Sequence, residues 1–164
     1  MTTLNHEIYA NCDPERVWAV LSDLESVAHY NPTVRSANVL GPQTTGVGAK
    51  RSCSLIPKGT VVERVTHWQP GAQLGLEVAE SDWPVHFMRW VTRVEAAEGR
   101  TRITQTLSYK VKFGPLGWLL DALVMKPKLR ATLDSVFLGL VKFAEGSTEP
   151  GARAQAGTLD ARAS

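Results

Sequence analysis

A chain of 164 residues is long enough for one domain whose core covers most of its apolar surface. Apolar residues make up 43% and charged residues 21%, the usual balance of a soluble globular protein. A formal charge of +2 gives no electrostatic case for nucleic acid or, by itself, for an anionic membrane.

Cys12 and Cys53 show no CxxC or Cys/His spacing, which fits two unpaired thiols in a reducing compartment. The opening Met1-Thr2-Thr3-Leu4 has neither a basic nor an apolar signal region. The longest apolar run, Leu116 to Met125, is broken by Asp121 and falls short of the ~20 residues that span a bilayer. A cytoplasmic protein is therefore expected.

Thr2 to Ala10 alternates weakly and predicts a first strand, with Leu4, Ile8 and Ala10 on one side. Asp13-Pro14-Glu15 then opens a helix. Asp13 is placed to cap, Pro14 suits the first turn, and Glu15 faces the positive end of the helix dipole. Val17, Trp18, Val20, Leu21 and Leu24 give that helix a buried side. A second short helix, about Leu24 to His29, is stopped by Asn31-Pro32.

Period two then takes over. Strands are predicted over Val34 to Leu40, Ala49 to Ile56, Thr60 to Gln69, Gln73 to Glu80, Val85 to Ala96 and Arg100 to Phe113. Short Gly/Pro turns and Glu98-Gly99 separate them, which describes an antiparallel meander joined by the N-terminal strand. In the last strand Ile103, Gln105, Leu107, Tyr109, Val111 and Phe113 share one face, against Arg102, Thr104, Thr106, Ser108, Lys110 and Lys112. One face is covered and the other wet. The strand before it puts Arg89, Arg93 and Glu95 on the wet side and leaves His86, Met88, Trp90, Thr92 and Val94 inward.

From Pro115 to Phe143 the apolar residues recur at three- and four-residue intervals, the stripe of an amphipathic helix whose partner is the sheet. Pro127 interrupts it and is expected to kink or split the helix. Asp121 also interrupts the stripe and is assigned to the solvent side. After Glu145 only Leu159 is large and apolar, so residues 146–164 are predicted to be a disordered tail behind a domain of residues 1–145.

This order of elements resembles the helix-grip fold of the START/Bet v 1-like superfamily, in particular the bacterial SRPBCC branch labelled polyketide cyclase/dehydrase and lipid transport. The stretches that carry the resemblance run from Ile8-Tyr9-Ala10 through Asp13-Pro14-Glu15-Arg16-Val17-Trp18 to Asp23, then Tyr30-Asn31-Pro32 and Gly46-Val47-Gly48-Ala49. Glu63-Arg64-Val65-Thr66-His67-Trp68-Gln69-Pro70-Gly71 and Gly114-Pro115-Leu116-Gly117-Trp118 complete them. The resemblance implies an α+β fold, with a curved antiparallel seven-stranded sheet wrapped around a long C-terminal helix and two short helices after strand 1. It also implies an apolar cavity between sheet and helix. It carries over no catalytic residue, and a fold that hosts many activities assigns none.

Catalytic signatures are missing from the sequence. It has no Gly-x-Ser-x-Gly elbow and no phosphate loop, and Gly46-Val47-Gly48 lacks the third glycine of a dinucleotide fingerprint. His6, His29, His67 and His86 are scattered, so neither a metal site nor a cofactor is expected. The candidate ligand contacts are His86, Met88, Trp90, Gln105, Leu107 and Tyr109 from the sheet, and Leu120, Val124 and Leu133 from the helix. Gln105 and Tyr109 either meet a ligand or satisfy each other or a buried water. Arg51 and Glu63 are expected as an ordinary cross-strand pair on the wet face, or, if inward, as an obligatory buried pair.

Three functions follow. The first is binding of a small hydrophobic molecule such as a lipid, an isoprenoid or a polyketide. The second is a cyclase, aromatase or dehydratase in which Tyr109, His86 or the Arg51/Glu63 pair moves protons. The third is docking through Trp118 and the basic Lys126-Pro127-Lys128-Leu129-Arg130, including transient contact with an anionic membrane. The loops at Pro57-Lys58-Gly59, Ser81-Asp82-Trp83-Pro84 and Gly114 to Gly117 are the expected entrance.

Overall fold

The computed structural model describes residues 1–112, 114, 117, 119 and 121–146. Phe113, Pro115, Leu116, Trp118, Leu120 and residues 147–164 lie outside the described residues. The expectations for Leu120 as a ligand contact, Trp118 as a docking residue and the C-terminal tail fall there.

Seven strands form one antiparallel sheet in the order β1-β7-β6-β5-β4-β3-β2. They are β1 (Thr2–Ala10), β2 (Val34–Leu40), β3 (Lys50–Leu55), β4 (Thr60–Gln69), β5 (Gln73–Ser81), β6 (Val85–Ala97) and β7 (Arg100–Val111). The strands from β2 to β7 pair in chain order, through a longer loop between β2 and β3 and short turns after it, and β1 closes against β7 at the far end. At Glu98-Gly99 both residues have positive φ, the two-residue hairpin whose twist matches the strands it joins. Bulges between Val34 and Ser36, Val62 and Glu63, Val65 and His67, and Val85 and Phe87 bend the strands. The sheet curves as a result and leaves a concave inner face.

Two short helices, α1 (Pro14–Ser22) and α2 (Val27–Tyr30), follow β1. Pro14 sits in the first turn as expected, but the Asp13 side chain makes no capping hydrogen bond. Its carbonyl accepts from Arg16 N–H instead. The long helix α3 (Lys126–Gly146) lies on the concave face, directly preceded by a π-helical stretch, Asp121–Met125. The break expected at Pro127 thus lands immediately upstream of it. A proline cannot donate to the carbonyl one turn back, and a wider turn accommodates the lost bond.

The interior is three apolar clusters, not one. Val17, Val20 and Leu21 of α1 pack with Leu74, Ile103 and the C-terminal half of α3, where Phe137, Leu140 and Ala144 are buried. Leu4, Val85, Met88, Leu107 and Tyr109 form a second cluster against Met125, Leu129 and Leu133. Val27, Val34, Cys53 and Val61 form the third. Each buried Leu or Phe contributes roughly 1.5–3 kcal/mol. Leu129, Leu133 and Val136, at the N-terminal half of α3, are only half-buried. They face a hollow.

Candidate ligand cavity

The hollow, of about 150 Å³, lies where the three clusters meet. Its apolar wall comes from Leu74, Leu76, Met88, Trp90 and Leu107 on the sheet and from Leu129, Leu133, Val136, Phe137 and Leu140 on α3. Period two on the strands and 3.6 on the helix bring these two rows face to face. Trp83, in the β5–β6 loop, also lines it. The loop at Pro57-Lys58-Gly59 contributes no lining residue among those described.

One end is polar. Arg51 on β3 and Glu63 on β4 are register partners, only 4% and 8% exposed, and Arg51 Nε donates to Glu63 Oε2 at 2.6 Å. Arg51 Nη1 donates to the Leu24 carbonyl at 3.0 Å, and the guanidinium lies close enough to Tyr30 and Cys53 to act on both electrostatically. This overturns the wet-face placement of the pair. Glu63 shares its parity with buried Val61 and Val65, and Arg51 shares its own with Ala49 and Cys53. Strand alternation prevails here, and the tendency of charges to stay outside gives way because each charge has a partner.

Burial works against charge on Arg51, but Glu63 and then Tyr30 and Cys53 raise its pKa above that of a free guanidinium, so it stays charged. Burial first, and Glu63 second, push the Cys53 thiol from about 9 up to about 11, leaving it neutral and unreactive at neutral pH. Arg51 Nε and Nη1 are engaged by Glu63 and by the Leu24 carbonyl. What this end offers a ligand is therefore Glu63, Tyr30, Asn31 and Thr33, all lining the hollow, around a pair whose charges sum to zero.

The sheet adds Thr92 and Gln105, both buried and both lining the hollow; Thr92 Oγ1 donates to Gln105 Oε1 at 3.4 Å. Gln105 is thus partnered by Thr92 and not by Tyr109. The Tyr109 ring is fully buried, yet its hydroxyl donates to Asp121 Oδ1 at 2.5 Å and does not line the hollow. Thr2 Oγ1 donates to the other Asp121 oxygen at 2.6 Å. Asp121 is buried, against the expectation of a solvent position. Burial and then the Asp121 contact raise the Tyr109 pKa further above its ordinary value.

Two more contacts are corrected. His86 is exposed, because the bulge between Val85 and Phe87 gives Val85 the inner position and leaves His86 as the extra residue. Val124 is 50% exposed, since the π-helical stretch rotates the stripe, turning Asp121 in and Leu123 and Val124 out. The membrane expectation rests on Trp118-Leu119-Leu120 beside Lys126, Lys128 and Arg130; of the first three only Leu119 is described, and it is exposed, as are Leu123 and Val124. Among the described residues no helix is long and apolar enough to cross a membrane, and no cluster of His, Cys, Asp or Glu is arranged to hold a metal ion.

A curved seven-stranded antiparallel sheet around a long C-terminal helix, with short helices after the first strand, is the Bet v 1-like helix-grip fold. Residues 1–145 match the family described as polyketide cyclase / dehydrase and lipid transport, and the chain belongs to that family. No curated protein matches it. Among solved structures it is similar to TTHA0849 from Thermus thermophilus, with 21% identity and a TM-score of 0.75 over 90% of this chain and 100% of that one. It is also similar to XoxI from Bacillus cereus, with 13% identity and a TM-score of 0.69 over 87% and 94% of the two chains. Ara h 8.0201 gives 14% identity and a TM-score of 0.69 over 89% and 99%. At these identities the likeness is one of fold.

Proposed function

We propose that the chain binds a compact, uncharged hydrophobic molecule, such as an isoprenoid, a small lipid or a polyketide-like ring, between its sheet and α3. The observation that carries this reading is the hollow itself, lined mainly by apolar side chains and bordered by a neutralised Arg51–Glu63 pair. A space of about 150 Å³ takes one aromatic ring, whereas drug-sized ligands occupy roughly 300 Å³ or more. A long acyl chain would require α3 to move away from the sheet. A free carboxylate would meet no unpaired cation at the polar end. Native mass spectrometry of gently purified protein, with displacement of an apolar fluorescent probe by small aromatic compounds, tests the proposal. Binding of no apolar compound would remove it.

A second reading, chemistry in the same hollow, has one specific support: Tyr30, Glu63 and Arg51 line it together. These groups can move a proton or hold a developing enolate beside a folded substrate. Tyr109, whose hydroxyl is committed to Asp121, is replaced in that role by Tyr30. The two readings part at Tyr30→Phe. Loss of turnover with binding retained marks an enzyme, and equal loss of both marks a binding protein.

A further inference from the structure

Gln105 is a long polar side chain set into an apolar wall. It shares the inner parity of β7 with Ile103 and Leu107 and is only 9% exposed. Its row on the inner face runs through Thr92 to Leu74, and the next row runs from Leu107 through Trp90 to Leu76. All six of these residues line the hollow. Thr92 Oγ1 donates to Gln105 Oε1 at 3.4 Å, which satisfies the accepting end of the amide. The donating end, Nε2, has no hydrogen-bond partner among the described residues. A buried amide left half-satisfied costs about what a lost hydrogen bond costs, so the free end calls for an occupant.

The protein itself does not supply that occupant. The other register neighbour of Gln105 is His6 on β1. Its Nδ1 lies 3.2 Å from Asp134 Oδ1, and its Nε2 is itself without a partner, so the imidazole does not meet the amide. Among the described residues, His6 Nε2 is the one side-chain nitrogen or oxygen that is both enclosed and unpartnered. Gln105 Nε2 is unpartnered but not enclosed, so it borders space that a water molecule can enter. The space that Gln105 lines is the hollow. Thr92, by taking Oε1, decides which end of the amide is left for a guest.

We propose that the Gln105 side-chain amide is a donor subsite of the hollow, with Thr92 as its positioning residue, and that the ligand it selects is an uncharged ring carrying a carbonyl oxygen. The inference rests on the cavity reading above and adds to it the chemical group that is recognised. A carbonyl oxygen accepts without bringing a proton of its own, which suits a site whose own acceptor, Oε1, is already engaged. A carboxylate or phosphate would give up its hydration for a neutral donor, with the nearest buried cation paired to Glu63. A ring of single-aromatic size fits a space of about 150 Å³.

Acetophenone and α-methylstyrene have nearly the same shape and differ in a C=O against a C=CH2, so calorimetric titration of both isolates the subsite. The ratio of their affinities, compared between wild type and variant, cancels the difference in their hydration. Gln105→Met keeps the length of the side chain and removes the donor. It should lower the ratio of acetophenone to α-methylstyrene affinity by about 5- to 10-fold, the worth of one buried hydrogen bond. Retained α-methylstyrene binding shows that the variant is folded. Thr92→Val should lower the same ratio by a smaller factor without weakening α-methylstyrene; a ratio that survives it removes Thr92 from the positioning role. In wild-type protein the Gln105 side-chain amide resonances should move on adding acetophenone, well beyond any shift that α-methylstyrene produces. α-Methylstyrene binding with a ratio unchanged in Gln105→Met, or amide resonances indifferent to the ketone, overturns the subsite but leaves the cavity reading standing. Binding of neither ring overturns both.

Discussion

Glu63 is the side chain on which the polar end of the hollow depends. Its carboxylate neutralises a guanidinium that also holds the Leu24 carbonyl, between α1 and α2. Removing one member of a buried pair leaves the other charge without a partner in a poor solvent for it. Glu63→Gln is accordingly expected to lower stability by about 3 kcal/mol in urea denaturation. The double change Arg51→Met with Glu63→Leu should cost less than the single one, since no charge is then stranded. A single-variant loss below about 1 kcal/mol would mean that water reaches Arg51 and that this end is not sealed. Parity made both residues legible as inward, because Val61, Glu63 and Val65 alternate with polar neighbours. The general preference of charges for the surface pointed the other way. His6 was legible in the same manner, through Leu4 and Ile8, but Asp134 reaches it only across the helix–strand packing.

Elements meet here with little tolerance. A Cβ at Gly139 of α3 would overlap the carbonyl oxygen of Tyr30 in α2, so the two helices approach at a distance only glycine permits. Alanine is the better helix former by about 1 kcal/mol, yet the clash is with backbone and cannot be relieved by a rotamer change. Gly139→Ala should therefore be destabilising by a net of about 1–2 kcal/mol, read as a lower thermal midpoint. An unchanged or raised midpoint would show that α3 shifts freely over α2. The other end of α3 is tied differently. Tyr109 and Thr2 both donate to Asp121, fixing the π-helical stretch to β7 and β1. Sequence periodicity located the long helix and the break near Pro127. The form of the break was not legible, because a π turn rotates the stripe by an amount set by the contacts around Asp121. Hence Val124 and Asp121 exchange the faces that an uninterrupted helix would give them.

At the scale of the whole molecule the hollow is space that the three clusters leave unfilled where they meet. Leu133 borders it from α3 and is only half-buried. Leu133→Phe should extend into the gap and raise stability by roughly 0.5–1 kcal/mol. The same change should weaken binding of an apolar probe by about tenfold or more, because the added ring takes the ligand's place. Stability and binding moving in opposite directions is the signature of a site held open. If both fall together, the space is too rigid to accept the ring; if neither moves, the probe binds elsewhere.

Hydrophobic periodicity alone determined the element order, the seven strands, the long covering helix and the wet and covered faces of β7. These are local properties, since the period of a strand or a helix decides which residues can share a side. Tertiary structure alone decided the bulge that turns His86 out, the helical phase at Asp121 and Val124, the close approach at Gly139 and the pairing of His6 with Asp134. Each depends on where a second element comes to rest. A one-residue register shift or a fraction of a helical turn is a small change in local energy, and packing, not periodicity, selects among such alternatives.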